Sequence, residues 1–404
     1  MQSGARYQAV IDILTEVLAD CVPADKVVAD YLRSRKYIGS KDRKFITDKV
    51  WHIIRNRMKL EFDSGFGDAR KLVLYDARDN LDEVFDGSAY GVTDLTDEER
   101  EWLKKENEEP YPDYVEAECP KWLFEKINNM EYCKALNEQA STDIRAHGIG
   151  REELKRRLEA EGIDVEEGGL SSKCLKIKGR LVLNNCATWQ DGCFEVQDEA
   201  SQIAAILADV KPEHKIIDYC CGAGGKSLAM SDCLSNQGKI LAYDIDAKRL
   251  DAIKPRMARL KIKNIEITDI IAGSDKDFDR FVLDAPCSGT GTWRRAPDAK
   301  YRLTKEKLFG LNKIQSELLD IAAAKTKSGG RIIYITCSIL KEENEDIIEA
   351  FVRKHPQFEP VDMKVLWESK IGCKYPAMSK RYVRMSPFET GTDGFFVCVL
   401  ENKL

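Results

Sequence analysis

Two cysteines and an aspartate in the second half of the chain are residue types that could supply a nucleophile and a proton-transfer group for chemistry on a pyrimidine ring. Cys287 lies in DAPCSGTG, three residues after Asp284, and Cys337 lies in YITCSIL. A thiolate that adds to the ring makes the neighbouring carbon nucleophilic enough to take a methyl group from a sulfonium donor, and a second group must then remove a proton so that the enzyme is released. Two cysteines and an acid suit this chemistry, although most free cysteines are buried packing residues.

A glycine-rich run, DYCCGAGGKS, predicts the site of the methyl donor. Gly222, Gly224 and Gly225 follow a predicted strand and precede a predicted helix. Glycines there let the backbone approach a ligand closely, and the helix N-terminus offers free N–H groups. The run has no second phosphate-binding loop and no lysine–threonine pair of the Walker type. We therefore expect adenosylmethionine rather than a dinucleotide or ATP.

Acidic residues follow the next two predicted strands. Asp244 ends the first of them, where a carboxylate can accept hydrogen bonds from ribose hydroxyls, and Asp269 closes NIEITD, near the expected adenine. Taken singly, such an acid is more often a helix N-cap, but the repeated position at strand ends favours a binding site. The residues predicted to contact the cofactor are Cys220, Cys221, Gly222, Ala223, Gly224, Gly225, Lys226, Asp244, Arg249, Asp269 and Asp284.

The elements that must position these residues alternate regularly after residue 197. Short apolar runs such as HKIIDYC, FDRFVLDAP and GRIIYITCS are separated by helical stretches. This alternation predicts an α/β fold with a parallel, Rossmann-like sheet and helices on both faces, in which ligands bind at the carboxyl ends of the strands. The final run, FFVCVLENKL, predicts a last strand at the sheet edge.

Two further modules precede this sheet. Apolar residues recur at helical spacing over the first sixty residues, and an acidic stretch rich in Pro and Gly follows, with one short helix predicted around residues 97–105. The tract KCLKIKGRLVLNN predicts a strand pair around Gly179 in a small α/β module. The predicted domains are therefore a helical domain at 1–117 with the linker, a small α/β module at 118–196 and a larger α/β domain with the parallel sheet at 197–404.

The distribution of charge leaves room for a nucleic-acid partner despite a net charge of −6. Residues 79–118 hold fifteen acids and three basic residues, so the rest of the chain is basic by about six charges. Basic residues cluster at 41–49, 294–302 and 374–384. Each cluster alone is typical of a solvated face, but together they favour a surface that binds phosphates. The candidates for contact with nucleic-acid phosphates are Arg294, Arg295, Lys380 and Arg381.

Cysteine usage and the N-terminal sequence exclude other classes of protein. The thirteen cysteines are scattered and form no CxxC pair, so neither a disulfide framework nor a zinc site is expected. The first eighteen residues carry charges and no continuous apolar stretch, which argues against a signal peptide or membrane span. We expect a cytoplasmic monomer without metal.

The motifs resemble those of the RsmB-like RNA cytosine-5 methyltransferases. DYCCGAGGKS is similar to the glycine motif of that family, DAPCSGTG with RRAPD to its fourth motif, TCSILKEENE to its sixth, and FEVQDEASQ to the start of its catalytic domain. The chain departs from the family where Gly222 and Ala223 replace the usual Ala-Pro, and where IRAHG lacks an asparagine common in the small module. The first 117 residues resemble a NusB-type helical domain only loosely.

The resemblance implies an enzyme that methylates carbon 5 of cytosine in RNA, with S-adenosylmethionine as donor. It makes Cys337 the nucleophile toward carbon 6 and Cys287 the residue that helps to expel the enzyme. Asp284 would hydrogen-bond the pyrimidine, and Lys226 would lie near donor and base, where its charge lowers a neighbouring thiol pKa. The base would have to be flipped out or already unpaired.

Several alternatives remain open at this stage. The RNA is expected to be ribosomal, with transfer RNA as the second candidate. A DNA cytosine methyltransferase would use Cys287 as the nucleophile, but the TCS motif and the lack of a large target-recognition region argue against it. A ribosome-assembly factor that binds RNA without catalysis would not need both cysteines, the acid and the lysine.

Overall fold

The computed structural model describes residues 1–19, 22–105, 107–179, 181–268, 277–376 and 379–404. Their contacts divide the chain into two units. The first contains Met1–Glu138 and Thr292–Thr304, and the second contains Gln139–Gly291 and Lys305–Leu404. The predicted boundary at 117/118 falls inside the first unit and that at 196/197 inside the second, and the three-domain division stays a prediction.

The first unit is helical, as the apolar spacing predicts. Val10, Leu14, Ile46, Val50 and Ile53 are buried together in its core. The acidic stretch contains the expected short helix, which Thr96 and Glu99 begin with a reciprocal capping box. The α-helices are Ser3–Val17, Ala24–Ser34, Ser40–Arg55, Arg57–Ser64, Ala69–Asp76, Leu81–Val84, Asp97–Leu103, Asp113–Glu116, Lys121–Ile127, Met130–Asn137 and Ala299–Arg302, with a 3-10 turn at Arg78–Asn80.

The segment Thr292–Thr304 is held in the helical unit by buried polar contacts. Lys300 is buried, and its Nζ donates to the Glu118 carbonyl oxygen at 2.6 Å and to Asn137 Oδ1 at 2.9 Å. Burial lowers the pKa of Lys300 to about 8. Asp298 Oδ2 accepts from the Ala24 amide at 3.1 Å. The chain that follows the Cys287 loop therefore packs with helices that are far from it in sequence.

A small antiparallel sheet opens the second unit. Its strands are β1 (Thr142–Ala146), β2 (Val165–Glu167), β3 (Cys174–Ile177) and β4 (Phe194–Val196), in the order β2-β3-β1-β4. The predicted strand pair around Gly179 is wrong, because β3 pairs with β1 and β2 and Leu183–Asn185 forms a 3-10 turn. Helix Arg151–Ala160 and the short helix Ala187–Gln190 complete this part.

The large sheet of the second unit is mixed. Its strands are β5 (Lys215–Tyr219), β6 (Lys239–Tyr243), β7 (Ile265–Ile267), β8 (Phe278–Asp284), β9 (Thr326–Thr336), β10 (Phe358–Pro360), β11 (Val383–Met385) and β12 (Phe395–Asn402). The order is β10-β12-β9-β8-β5-β6-β7, with β11 also paired to β12. The five strands β9, β8, β5, β6 and β7 are parallel to one another. Strand β12, on the other side of β9, runs antiparallel to it. The prediction of β12 as an edge strand is wrong, because β10 and β11 both pair with it.

Helices cover both faces of this sheet, which confirms the predicted α/β class. Adjacent residues of β5 point to opposite layers, since Ile216 packs with Leu228 while Ile217 packs with Leu319. The helices of this part are Glu199–Leu207, Gly225–Cys233, Ala247–Asp251, Ile253–Leu260, Lys305–Lys325, Glu345–Lys354, Met363–Lys370 and Pro387–Thr390, with 3-10 turns at Thr290–Thr292 and Lys341–Glu343. Among the described residues, no helix is long and apolar enough to cross a membrane.

Candidate active site

Several residues of the predicted cofactor and catalytic set follow strands that end at one edge of the large sheet. Strands β6, β5, β8 and β9 are consecutive and parallel, so their carboxyl ends lie side by side. The glycine loop follows β5, Asp244 follows β6, Asp284 ends β8 and Cys337 follows β9. This is the edge where ligands bind in such sheets. Asp269, the remaining predicted acid, lies outside the described residues.

The glycine loop needs its glycines for steric reasons. Gly222 and Gly224 have backbone φ angles of +56° and +81°, which residues other than glycine rarely adopt. A Cβ on Gly224 would lie 2.1 Å from Ile253 Cδ1, and one on Gly222 would lie 2.6 Å from Arg249 Nη2. The loop leads directly into helix Gly225–Cys233. The first N–H groups of a helix have no carbonyl partner within it. This cradle fits an adenosyl ligand that approaches the backbone closely.

Asp244 fixes the shape of this loop. Its Oδ2 accepts from the Gly222 amide at 2.7 Å and its Oδ1 accepts from the Asp246 amide at 2.8 Å. The residue is buried, and Arg249 Nη1 lies 3.9 Å from its Oδ2. A carboxylate has about four acceptor positions, so both oxygens can still accept from ribose hydroxyls. Asp244 therefore suits a second role as a ribose ligand.

Sequence reasoning missed two residues around the cradle. Ile245 follows Asp244 and is 91% exposed, which is unusual for an isoleucine. Asp218 of β5 is fully buried beneath the loop, where it accepts from the Ser227 hydroxyl, and burial raises the pKa of Asp218 to about 7. The available signals were an apolar residue beside a strand-end acid and an aspartate inside an apolar strand.

Cys220 and Cys221 contribute backbone rather than reactive thiols to the cradle. Cys220 has a φ of +69°, and the Cys221 amide donates to the Tyr243 carbonyl oxygen at 2.9 Å. Burial and nearby carboxylates raise the pKa of Cys220 to about 12 and that of Cys221 further. Both side chains therefore stay neutral thiols.

Lys226 and Asp284 form an ion pair between the cradle and the cysteines. Lys226 Nζ donates to Asp284 Oδ2 at 2.7 Å, and the lysine is 7% exposed. Burial opposes the lysine charge, but the Asp284 carboxylate and the nearby Cys337 outweigh it and raise the pKa of Lys226. Lys226 thus stays protonated at the position predicted for it.

The side chains of the two predicted catalytic cysteines, Cys287 and Cys337, lie in contact. The Sγ atoms of Cys287 and Cys337 lie 3.4 Å apart, and both residues are half-buried. The hydrogen bond with Cys337, burial, and the negative charges of Cys337 and Glu343 together raise the pKa of Cys287 well above its ordinary value. Cys287 is therefore held as a neutral thiol beside Cys337.

The predicted RNA contacts divide between the two units. Arg294 and Arg295 belong to the helical unit, where the Arg294 carbonyl oxygen accepts from Arg55 Nη2 at 2.7 Å. Lys380 and Arg381 are exposed and precede β11, whose last residue, Met385, pairs with the first residue of β12 near the site edge.

The IRAHG segment has a structural role within the second unit. His147 Nε2 lies 2.7 Å from the Leu260 carbonyl oxygen, so it must donate, and its Nδ1 contacts the Asp232 carboxylate. Arg145 forms an ion pair with the same carboxylate. These contacts fasten the small sheet to helices Gly225–Cys233 and Ile253–Leu260. The histidine thus holds the small sheet in place where the family often has asparagine.

The comparisons with known proteins agree with this geometry. The 16S rRNA methyltransferase RsmB/F family matches residues 204–401. The probable ribosomal RNA small subunit methyltransferase B of Bacillus subtilis is 31% identical over 306 residues, which cover 72% of this chain and 67% of the relative. Ribosomal RNA small subunit methyltransferase B of Yersinia pseudotuberculosis is 31% identical over 59% of this chain and 58% of its own length.

A solved structure shows the same fold over the whole chain. The crystal structure of PH0851 has a TM-score of 0.80 and 24% sequence identity, and the match covers 99% of both chains. The described residues contain no group of three metal-ligating side chains. The family match makes the chain an S-adenosylmethionine-dependent methyltransferase. Because the match to the Bacillus subtilis relative is this extensive, the chain belongs to the RsmB/F family of 16S rRNA methyltransferases.

Proposed function

We propose that this protein methylates carbon 5 of a cytosine in ribosomal RNA, through a covalent bond between Cys337 and carbon 6 of the base. The observation that carries the proposal is the 3.4 Å separation of the Cys287 and Cys337 sulfur atoms at the edge that also holds the Lys226–Asp284 pair. The names of the relatives support ribosomal RNA as the substrate.

The side chains divide the chemistry between them. Attack by the Cys337 thiolate forms the bond to carbon 6 and moves the ring electrons onto N3. The Lys226 ammonium group offsets the negative charge there, and Asp284 accepts a hydrogen bond from N3 once N3 takes up a proton. S-adenosylmethionine, when bound, supplies an electrophilic methyl group for carbon 5. Removal of the carbon 5 proton then returns the electron pair to the ring and breaks the bond to Cys337.

Cys287 suits the release step rather than the attack. Its raised pKa keeps the proton on its sulfur, and a thiol is a far weaker nucleophile than a thiolate. At 3.4 Å it can donate that proton to the Cys337 sulfur as the bond to carbon 6 breaks. The Cys287 thiolate that this donation leaves can accept the carbon 5 proton, so the ring loses the one proton that Cys337 gains.

We also propose which part of S-adenosylmethionine each of the predicted cofactor residues contacts. We place the ribose hydroxyls on Asp244, the methionine end near the Gly222–Lys226 loop, and the adenine against the exposed side chain of Ile245. The steric limits at Gly222 and Gly224 and the acceptor capacity of Asp244 support this arrangement.

Replacing Asp244 with Ala should weaken S-adenosylmethionine binding by about 1–3 kcal/mol, because ribose hydroxyls and the Gly222 amide lose their acceptor. Isothermal titration calorimetry measures the change directly. Asp251→Ala is the matched control, since Asp251 is an exposed aspartate paired with Lys254 on the helix that follows. Unchanged affinity in Asp244→Ala would remove Asp244 from the cofactor site.

Lys380 and Arg381 are proposed to contact backbone phosphates of the RNA. Changing both to Ala should reduce the slope of log affinity against log salt by about one to two. Each phosphate that is no longer contacted keeps its bound counterion, so fewer counterions are released on binding. The methylated cytosine should stay the same. Lys239 and Lys327, which begin β6 and β9 at the opposite edge, provide a matched double-alanine control. A wild-type slope in the test variant excludes this cluster from the interface.

Transfer of a labelled methyl group from S-adenosylmethionine to bulk RNA tests the function as a whole. Bisulfite sequencing of RNA from a strain without the gene then identifies the target, because one methylcytosine disappears. Loss in transfer RNA instead of ribosomal RNA would change the substrate but keep the chemistry. No transfer to any RNA would favour a binding factor without catalysis. A ribosomal RNA substrate would place the protein in the cytoplasm, where we propose that it acts as a monomer.

A further inference from the structure

A fully buried glutamate, Glu343, lies between the two cysteine loops. Its Oε1 accepts from the Ser288 amide at 2.8 Å and from Gln315 Nε2 at 3.0 Å. Its Oε2 accepts from the hydroxyls of Ser288 and Ser338. Since Ser288 follows Cys287 and Ser338 follows Cys337, one carboxylate bonds to the residue beside each catalytic sulfur.

Further hydrogen bonds tighten the same connection. Thr290 Oγ1 lies 3.0 Å from Ser338 Oγ and accepts from the Ile339 amide at 3.0 Å. The Tyr334 hydroxyl donates to the Glu343 carbonyl oxygen at 2.7 Å, and Asn344 Nδ2 donates to the Ser338 carbonyl oxygen at 2.8 Å. A buried carboxylate is costly unless it is fully hydrogen-bonded, and Glu343 accepts from four donors. Such a network holds both loops in one arrangement.

We propose that Glu343 is a positioning residue, which fixes the relative placement of the Cys287 and Cys337 sulfur atoms and places a negative charge beside Cys287. This inference rests on the proposed function, because only that reaction uses both sulfur atoms. The groups that act on the Cys287 thiol include Cys337, Glu343 and the Gly289 amide, and the Tyr334 hydroxyl also interacts with it electrostatically. The negative charge of Glu343 is one cause of the raised pKa of Cys287. The charge of Glu343 thereby helps to keep Cys287 a neutral thiol.

Two substitutions distinguish the effect of the Glu343 hydrogen bonds on loop position from the effect of the Glu343 charge. In Glu343→Gln, the amide oxygen can still accept from Ser288 N and Gln315, and the amide N–H groups can donate to the two serine hydroxyls. The geometry should persist without the charge. Glu343→Ala removes every bond and leaves buried donors unpaired. We expect the kcat of methyl transfer to fall about a hundredfold in Glu343→Ala and less than about fivefold in Glu343→Gln.

The controls distinguish positioning from loss of folding. S-adenosylmethionine affinity should stay within about twofold in both variants, because the side-chain hydrogen bonds that the structure describes for Glu343 go to Ser288, Gln315 and Ser338, which lie outside the cradle. Glu349→Ala, an exposed glutamate on helix Glu345–Lys354, should keep wild-type kcat. A wild-type kcat in Glu343→Ala overturns the positioning role. Equal losses of kcat in Glu343→Ala and Glu343→Gln also overturn it.

The effect of the Glu343 charge on Cys287 can be measured without RNA. In a Cys337→Ser background, alkylation of Cys287 by iodoacetamide at pH 8 should be about tenfold faster with Glu343→Gln, which corresponds to a pKa lower by about one unit. Peptide mass spectrometry measures the labelled fraction over time. An unchanged rate overturns the electrostatic part of the inference. Failure of the unaltered protein to methylate any RNA would instead overturn the proposed function, and the alkylation result would still stand.

Discussion

Cys337→Ala is expected to reduce methyl transfer to RNA by about a thousandfold or more, to background. The substitution removes the nucleophile, so no bond to carbon 6 forms and carbon 5 is never activated. Transfer of tritiated methyl groups to RNA measures the loss. Denaturing gel electrophoresis should show no protein–RNA adduct for this variant.

The controls for Cys337→Ala follow from the structure. S-adenosylmethionine should bind normally, because the cradle lies after β5 and β6 whereas Cys337 follows β9. Cys233→Ala is the matched cysteine control, since Cys233 is exposed at the far end of helix Gly225–Cys233. Near-normal activity in Cys337→Ala would mean that this cysteine is only a small packing residue beside the cofactor.

Cys287→Ala is expected to trap the enzyme on its RNA. Cys337 can still attack and the methyl group can still be transferred, but the thiol 3.4 Å from the departing sulfur is gone. The covalent complex should then accumulate as a slow band on a denaturing gel, while turnover drops to about a single event per enzyme molecule. Western blotting before and after ribonuclease treatment identifies the band.

The double variant Cys287→Ala, Cys337→Ala decides which sulfur makes the bond. No adduct should form, because the nucleophile is absent. If the adduct appeared in Cys337→Ala alone, Cys287 would be the nucleophile and the order of roles would match the DNA enzymes. That result would also contradict the raised pKa of Cys287, which disfavours its thiolate.

Much of this site was predictable because the relevant rule is topological. In a parallel sheet, whatever follows each strand lies at the same edge, so strand periodicity alone places Gly222, Asp244, Asp284 and Cys337 together. The helical spacing of the first sixty residues and the capping box at Thr96 are equally local signals. Local patterns of this kind report on neighbours within about ten residues.

The residues that the sequence did not reveal depend on distant partners. Glu343 stands in a run of charged residues that is typical of a solvated turn, and only its contact with Ser288, 55 residues earlier, shows that it is buried. The antiparallel pairing of β12 and the packing of Lys300 against Glu118 also join segments far apart. Sequence periodicity determined which elements form and at which edge their ends lie. Tertiary packing alone decided which strands pair, which charges are buried and how closely the two sulfur atoms approach, because these depend on side chains that no local pattern connects.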